Sequence, residues 1–206
     1  MTWTVYWAFV VTSVLLAFAP GPDNMFVLVQ SAVHGVKAGI FTVLGLIVGV
    51  AIQTVAAALG VAAIVAASPT LFWGIRIVGA LYLAYLAYMS WTHPVAGEEK
   101  ATEVMTSAKL FRRGVIMNVT NPKVQIFFLA FFPQFVTKGA GATQTAVEMA
   151  ILGLTFMLAT ALVFSFIAFC SGSLADRLRT PRVQFWMNRS AAVIFLCLAA
   201  GTLLSG

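Results

Sequence analysis

Two proline-containing motifs each place one charged side chain in an otherwise apolar stretch of the chain. The motifs are Pro20-Gly21-Pro22-Asp23-Asn24 and Asn121-Pro122-Lys123. Because proline lacks a backbone N–H and clashes with the preceding helical turn, each motif predicts a helix break with free carbonyl groups. The helix that follows each break begins with unpaired N–H groups and the positive end of its dipole. Together with a carboxylate and an ammonium group, these ends suit a zwitterion, which carries both charges.

Asp23 and Lys123 have two interpretations. A charge near the centre of a bilayer costs roughly 3 kcal/mol on insertion scales, so such a residue is usually paired or functional. The two residues either form a structural ion pair, or Asp23 binds a substrate amine or a proton and Lys123 binds a carboxylate. We favour binding, because an ion pair alone would not require broken helices. Asn24 and Asn121 are included as substrate-binding candidates because they belong to the same motifs.

Three further polar residues are candidates. Gln53 is the one polar member of a face of small residues that predicts close helix packing, so it either lines a pathway or forms an interhelical hydrogen bond. Tyr82 lies deep in an apolar stretch and its hydroxyl needs a partner, which makes it a candidate for a cavity wall. Glu148 lies near the start of an apolar stretch, where it either complements the helix dipole or releases protons. The small residues on the face of Gln53 are Gly45, Gly49, Ala56 and Gly60.

The composition indicates that lipid is the solvent for most of these elements. Of the 206 residues 61% are apolar and 9% are charged, and the mean hydropathy is +0.98. Soluble domains carry roughly 25% charged residues, so this chain has too little polar surface to cover a globule in water. A membrane span needs about 20 apolar residues and must be helical, because every backbone group has to be hydrogen-bonded internally. We predict an all-α integral membrane protein with six spans, at about 4–33, 38–66, 70–91, 113–136, 144–170 and 186–205.

The basic residues predict the orientation of the spans, since cytoplasmic loops are enriched in Lys and Arg. The connections after the first, third and fifth spans contain nine basic residues: Lys37, Lys100, Lys109, Arg112, Arg113, Arg177, Arg179, Arg182 and Arg189. The opposite side contains Lys138 alone, so both termini are predicted to be periplasmic, in a bacterial inner membrane. Arg76 lies inside the third span, where it either snorkels to the interface or supplies a second charge for substrate or coupling.

The hydrophilic segment 92–112 divides the chain into two halves of three spans, 1–91 and 113–206. An odd number of spans in each half places the halves in the membrane with opposite orientations. The first span of each half contains one of the proline breaks. This arrangement is typical of inverted-repeat transporters, whose binding sites lie near the midplane where helices break.

The chain resembles the LysE/RhtB family of amino-acid exporters at several separated positions. The matching features are Pro-Gly-Pro-Asp-Asn at 20–24, then Gly35, Lys37, Ala38 and Gly39, the stretch FRRGVIMNVTNPKVQIFFLAFFPQFV at 111–136, and Gly79, Tyr82 and Leu83. The resemblance covers essentially the whole length in order. It implies export of amino acids or their derivatives from the cytoplasm, driven by the proton gradient, and it leaves the individual substrate open.

Other functions are less well supported by the residues. A small cation transporter is the main alternative, but divalent ions need several carboxylates or carbonyls and Asp23 is the one acid deep in a span. An enzyme is not expected, because the spans contain no HExxH, paired carboxylates or CxxC. No cofactor or metal is predicted. The net charge of +6 comes mainly from the basic loops and does not indicate nucleic-acid binding. The sequence leaves open whether the protein forms a homo-oligomer.

Overall fold

The computed structural model describes residues 1–67, 69–92, 104–137, 140–178 and 180–204, and every element in these ranges is helical. Eight α-helices follow one another along these ranges: α1 (Trp3–Phe18), α2 (Pro22–His34), α3 (Val36–Ala67), α4 (Pro69–Thr92), α5 (Ser107–Thr120), α6 (Pro122–Ile126), α7 (Ala142–Leu178) and α8 (Pro181–Leu204). A π-helical turn, Phe127–Phe131, and a 3-10 turn, Phe132–Phe135, follow α6. The prediction of an all-helical chain is therefore confirmed for the described residues.

Both predicted helix breaks are present. The axes of α1 and α2 differ by 59°, and the axis of α5 differs by 50° from that of the segment Pro122–Phe135. Within the described residues, α3, α7 and α8 are each long and apolar enough to cross a membrane, and the two bent pairs raise the number of candidate spans to five. The remaining predicted span corresponds to α4, a helix of 24 residues that is not among these five. The six-span arrangement therefore stays a prediction.

Helix α5 starts earlier in the sequence than its hydropathy indicates. Thr106 caps α5, and its hydroxyl oxygen accepts a hydrogen bond from the backbone N–H of Lys109 at 3.4 Å. The helix thus begins at Ser107 rather than near residue 113, because a capping threonine can start a helix within polar sequence. Of the predicted hydrophilic connection 92–112, residues 93–103 lie outside the described residues.

Helix α3 is at the centre of the bundle and packs closely along α5 and α7. Glycines make the α3–α5 approach possible: a Cβ on Gly45 would collide with the carbonyl oxygen of Phe111, and a Cβ on Gly49 would lie 2.6 Å from the Cβ of Asn118. The predicted packing role of this small-residue face is confirmed at these two positions. It is wrong at Gly60, where an added Cβ would have no neighbouring atom within 4 Å.

The contrast between Gly45 and Gly60 within α3 predicts how a methyl group added at each position changes the stability of the protein. Gly45→Ala should lower the melting temperature of the detergent-solubilised protein, because its neighbours are backbone atoms of α5 that cannot turn away. Overpacking of this kind costs about 1–3 kcal/mol. Gly60→Ala is the matched control and should leave the melting temperature unchanged or raise it, since alanine favours a helix by about 1 kcal/mol over glycine. Equal melting temperatures for the two variants would contradict the close α3–α5 packing.

A dense phenylalanine cluster follows the second break. It contains Phe9, Phe127, Phe128, Phe131, Phe132 and Phe156, all buried. Its contacting ring centroids are 4.2 to 6.3 Å apart, within the range of favourable aromatic pairs. The helix is irregular here because Pro133 has no N–H for the carbonyl four residues earlier, and the π-helical turn directly precedes it.

Helices α4 and α8 pair with each other and share a sequence pattern. Both begin at a proline, both have 24 residues, and both contain Phe-Trp-x-x-Arg, which ends at Arg76 in α4 and at Arg189 in α8. Arg76 lies against the last turn of α8, and Arg189 lies over the ring of Trp91, near the end of α4, at 3.5 Å from its centroid. The two helices therefore run antiparallel, with reciprocal arginine contacts.

Arg76 is held at the C-terminal end of α8. Its side chain is buried, 4% exposed, and its Nε donates to the carbonyl oxygen of Thr202 at 3.1 Å. The guanidinium also lies 4.7 Å from the ring centroid of Trp73. The carbonyls in the last turn of α8 lack helical partners and form the negative end of its dipole, so they suit a guanidinium group. Both interpretations of Arg76, snorkelling and a second charge for substrate or coupling, stay predictions.

Candidate functional site

The first break comprises residues 19–21, between α1 and α2. Gly21 is the N-terminal cap of α2 and Pro22 is its first residue, a position where the missing N–H costs nothing. The side-chain amide of Asn24 reaches back and donates to the carbonyl of Ala17 at 2.8 Å. This bond uses a carbonyl that the end of α1 leaves without a helical partner. Pro20 and Gly21 thus separate the helices, and Asn24 holds them at their bend.

The second break is centred on Asn121, which ends α5 and caps α6. Its side-chain oxygen accepts a hydrogen bond from the backbone N–H of Lys123 at 3.0 Å. Pro122 is the first residue of α6, as Pro22 is of α2. Each motif therefore ends one helix and begins the next with a proline.

The structure brings the two breaks together, and each contributes a side chain to the other. Asn121 donates from its amide to Oδ2 of Asp23 at 3.0 Å. The Nζ of Lys123 donates to the carbonyl of Ala19 at 3.3 Å, at the C-terminal end of α1. A lysine suits this position because helix C-termini carry partial negative charge. A Cβ at Gly21 would lie 3.3 Å from the Nζ of Lys123, a tight contact that a small shift of the lysine would relieve.

Asp23 and Lys123 do not form a direct ion pair. Among the described residues, one ion pair is closer than 4.0 Å, between the amino group of Met1 and Glu148 at 3.1 Å. The charges of Asp23 and Lys123 still interact across a longer distance. A direct salt bridge between the broken helices is therefore not what holds them together.

Two buried acceptor oxygens at the first break have no hydrogen-bond donor. They are Oδ1 of Asp23 and Oδ1 of Asn24, on side chains that are 4% and 6% exposed. Buried polar atoms are hydrogen-bonded in the large majority of cases, so each exception requires an explanation. The two oxygens belong to consecutive residues of α2, and acceptors without donors match a ligand that brings N–H groups, such as an ammonium ion.

Gln53 supports the second break from α3. Its amide donates to the backbone carbonyl of Asn118 at 2.8 Å, and the same carbonyl accepts from the backbone N–H of Asn121 at 3.1 Å. Gln53 thus forms an interhelical hydrogen bond one turn before the break. A role in lining the pathway stays a prediction.

Glu148 and Tyr82 are not among the residues that join the two breaks. Glu148, in the second turn of α7, accepts hydrogen bonds from the backbone N–H of Thr137 at 2.7 Å and from its hydroxyl at 2.8 Å. Gln144 adds a third at 3.1 Å. These contacts favour an anchoring role for Glu148, and its role in proton release stays a prediction. Tyr82 is half-buried in α4 with its ring 5.9 Å from that of Tyr85, and its role in a cavity wall stays a prediction too.

A cavity of about 110 Å³ adjoins the first break, between the end of α1, α2, α7 and the first turns of α8. We call it the side cavity. It is lined by Phe18, Pro20, Asn24, Met25, Leu28, Phe166, Ile167, Gln184, Met187 and Asn188. Sequence reasoning missed Gln184 and Asn188. Their spacing of four residues places both amides on one face of an apolar helix, and this signal could have revealed them.

Long apolar helices, and two broken helices that meet at a buried carboxylate and a part-buried lysine, are typical of membrane transporters. Comparison with known proteins supports this class and makes it specific. Residues 14–206 match the family model of the LysE type translocators. The chain belongs to this family of multi-pass membrane proteins.

Several relatives resemble the chain over most of its length. A leucine efflux protein of Enterobacter sp. (strain 638) is 32% identical over 179 residues, which cover 86% of this chain and 84% of the relative. A leucine efflux protein of Salmonella typhimurium is 35% identical over 164 residues, covering 79% and 76%. An uncharacterized membrane protein of Pseudomonas aeruginosa is 34% identical over 179 residues, covering 84% and 82%. No solved structure matches the chain.

Proposed function

We propose that this protein exports amino acids from the cytoplasm across the bacterial inner membrane, driven by the proton gradient. The observation that carries the proposal is the pair of buried acceptors without donors, Oδ1 of Asp23 and Oδ1 of Asn24. The α-ammonium group of an amino acid supplies three N–H donors and one positive charge to such a pair. Lys123, held at the adjoining break, provides the opposite charge for the α-carboxylate.

The relatives support an amino acid as the substrate. Two of the relatives described above are named leucine efflux proteins, and each is aligned over three quarters or more of both chains. Leucine carries one ammonium and one carboxylate group, and these groups fit the opposite charges of Asp23 and Lys123 at the two breaks. The class of substrate therefore has independent support from the site and from the family.

We further propose that the two halves form an inverted repeat of three spans each. The breaks support this, because Pro22 and Pro122 each begin the second part of a bent pair. Helices α4 and α8 support it too, since they share their length, their initial proline and the Phe-Trp-x-x-Arg pattern. An inverted repeat can expose a site at its centre alternately to the two sides of the membrane.

The placement of basic residues supports an orientation with both termini in the periplasm. In this orientation the side cavity lies in the cytoplasmic half of the membrane, because Gln184 and Asn188 belong to the first two turns of α8. The phenylalanine cluster lies in the opposite half of the membrane, where its packed rings fill the space between the helices. These positions support a state in which the space beside the proposed site is on its cytoplasmic side.

Asp23 is the proposed point of proton coupling. Its free oxygen accepts either a proton or a hydrogen bond from the substrate ammonium group, and protonation removes the charge that attracts the amine. A proton that arrives from the periplasmic side therefore displaces the substrate toward that side. This competition links proton entry to amino-acid exit.

Efflux from vesicles tests the proposal. Purified protein is reconstituted into liposomes that contain radiolabelled leucine, and a pH gradient is imposed. We expect efflux to exceed that from protein-free liposomes and to fall when an ionophore dissipates the gradient. Efflux that ignores the gradient would overturn the proton coupling, and absence of efflux for every amino acid tested would overturn the export function. Transport of a divalent cation in the same vesicles would instead favour the cation alternative.

A further inference from the structure

The side cavity lies directly beside the proposed ammonium site. Asn24 is common to both, because it is one of the residues that line the cavity and its Oδ1 is one of the two acceptors without a donor. The volume of about 110 Å³ is several times what one water molecule needs. The cavity therefore provides space for a group beside the first break.

The walls of the cavity are mainly apolar. Six of them are hydrocarbon or thioether side chains: Phe18, Met25, Leu28, Phe166, Ile167 and Met187. Among the residues that the structure describes, none that lines the cavity is charged, and the polar lining side chains are the amides of Asn24, Gln184 and Asn188. An uncharged, apolar group is the occupant that loses least on leaving water for such a space.

Part of the cavity wall is rigid and part is adaptable. Leu28 and Ile167 are 2% and 6% exposed and pack in a buried cluster with residues of α3 and α7, so they cannot retreat from an occupant. Met187 of α8 is only half-buried, and a flexible thioether can adjust to different shapes. The rigid residues Leu28 and Ile167 set the size of the group that fits. Met187 of α8 is the wall residue that can adjust to a larger side chain.

From these observations we infer that the side cavity is a subsite for the side chain of the exported amino acid and selects aliphatic side chains. This inference rests on the proposed function, because the ammonium and carboxylate groups must bind at the breaks. Each buried methylene group contributes about fourfold to binding. The affinity is therefore set by how much of the side chain the cavity covers, and charged side chains are disfavoured because none of the described wall residues compensates their charge.

The dependence of KM on the substrate side chain, measured in the wild type and in cavity variants, tests the inference. Apparent KM values for alanine, valine, leucine and phenylalanine are measured in the reconstituted vesicles. We expect KM of the wild type to decrease from alanine through valine to leucine. Met187→Trp narrows the cavity from its adaptable side and should raise the ratio of KM for leucine to KM for alanine at least about tenfold. Met117→Trp, at a half-buried methionine of α5 that does not line the cavity, is the matched control and should leave the ratio unchanged.

A second variant provides an independent reading if the tryptophan variant folds poorly. Ile167→Ala enlarges the cavity and should lower KM for phenylalanine relative to leucine. Export of amino acids with a KM ratio that neither cavity variant changes would overturn the subsite while leaving the export function intact. Absence of export in the wild type would instead overturn the proposed function itself.

Discussion

Asp23→Asn should reduce pH-driven amino-acid efflux at least about tenfold while the protein stays folded. The amide keeps the size of the side chain, but it cannot carry the charge that attracts an ammonium group or take up the coupled proton. A hydrogen bond to a charged group contributes about 1.5–3 kcal/mol, and 1.4 kcal/mol corresponds to a factor of ten. The measurement is the initial efflux rate of leucine per folded protein, determined with and without the imposed gradient.

Glu148→Gln is the comparison that separates the two candidate coupling residues. Because Glu148 accepts hydrogen bonds from Thr137 and Gln144, its replacement should lower the melting temperature and leave gradient-driven efflux within about twofold of the wild type. Efflux at the wild-type rate in Asp23→Asn would contradict the role of Asp23. Loss of the gradient effect in Glu148→Gln, with Asp23→Asn active, would transfer the coupling to Glu148.

Lys123→Met should also reduce efflux at least about tenfold, with little change in thermal stability. The ammonium group of Lys123 makes one hydrogen bond, to Ala19, in a part-buried position, and such a bond contributes about 1 kcal/mol to folding. A carboxylate that loses its cationic partner loses a charge-assisted bond, which is about twice as strong as a neutral one. The measurement combines efflux rates with the melting temperature in detergent.

Lys37→Met is the matched control, because it removes a lysine that is exposed. It should leave both efflux and melting temperature unchanged. If Lys123→Met instead gave a protein with a much lower melting temperature whose folded fraction exports at the wild-type rate, Lys123 would be a structural cap of α1 and not a carboxylate anchor.

Hydropathy and proline positions were sufficient to predict most of the helices. The long apolar runs correspond to α3, α7 and α8, and both proline motifs produce bends because their effect is local. The start of α5 at Ser107 was not predicted, since a capping threonine carries a weaker signal than hydropathy. The π-helical turn before Pro133 was not predicted either, because several local distortions can accommodate a proline.

The sequence predicts which residues belong to the candidate site, but it does not predict the hydrogen bonds that join them. Asp23 and Lys123 were identified because isolated charges in apolar helices are costly. That Asn121 donates to Asp23 and Lys123 to Ala19 depends on how two distant segments meet, and no local pattern carries this information. The buried position of Arg76 was missed for the same reason, since its partner, Thr202, lies 126 positions away.

The reciprocal bonds between the two breaks also concern the biogenesis of the protein. Asp23 enters the membrane during synthesis about a hundred residues before Asn121 and Lys123 leave the ribosome, because the bonds that join the breaks span 98 and 104 positions. During this interval its carboxylate lacks its donor, Asn121, and a charge near the bilayer centre costs roughly 3 kcal/mol. The first half of the chain is therefore an incomplete folding unit, because the buried carboxylate of Asp23 gains its donor only from the second half.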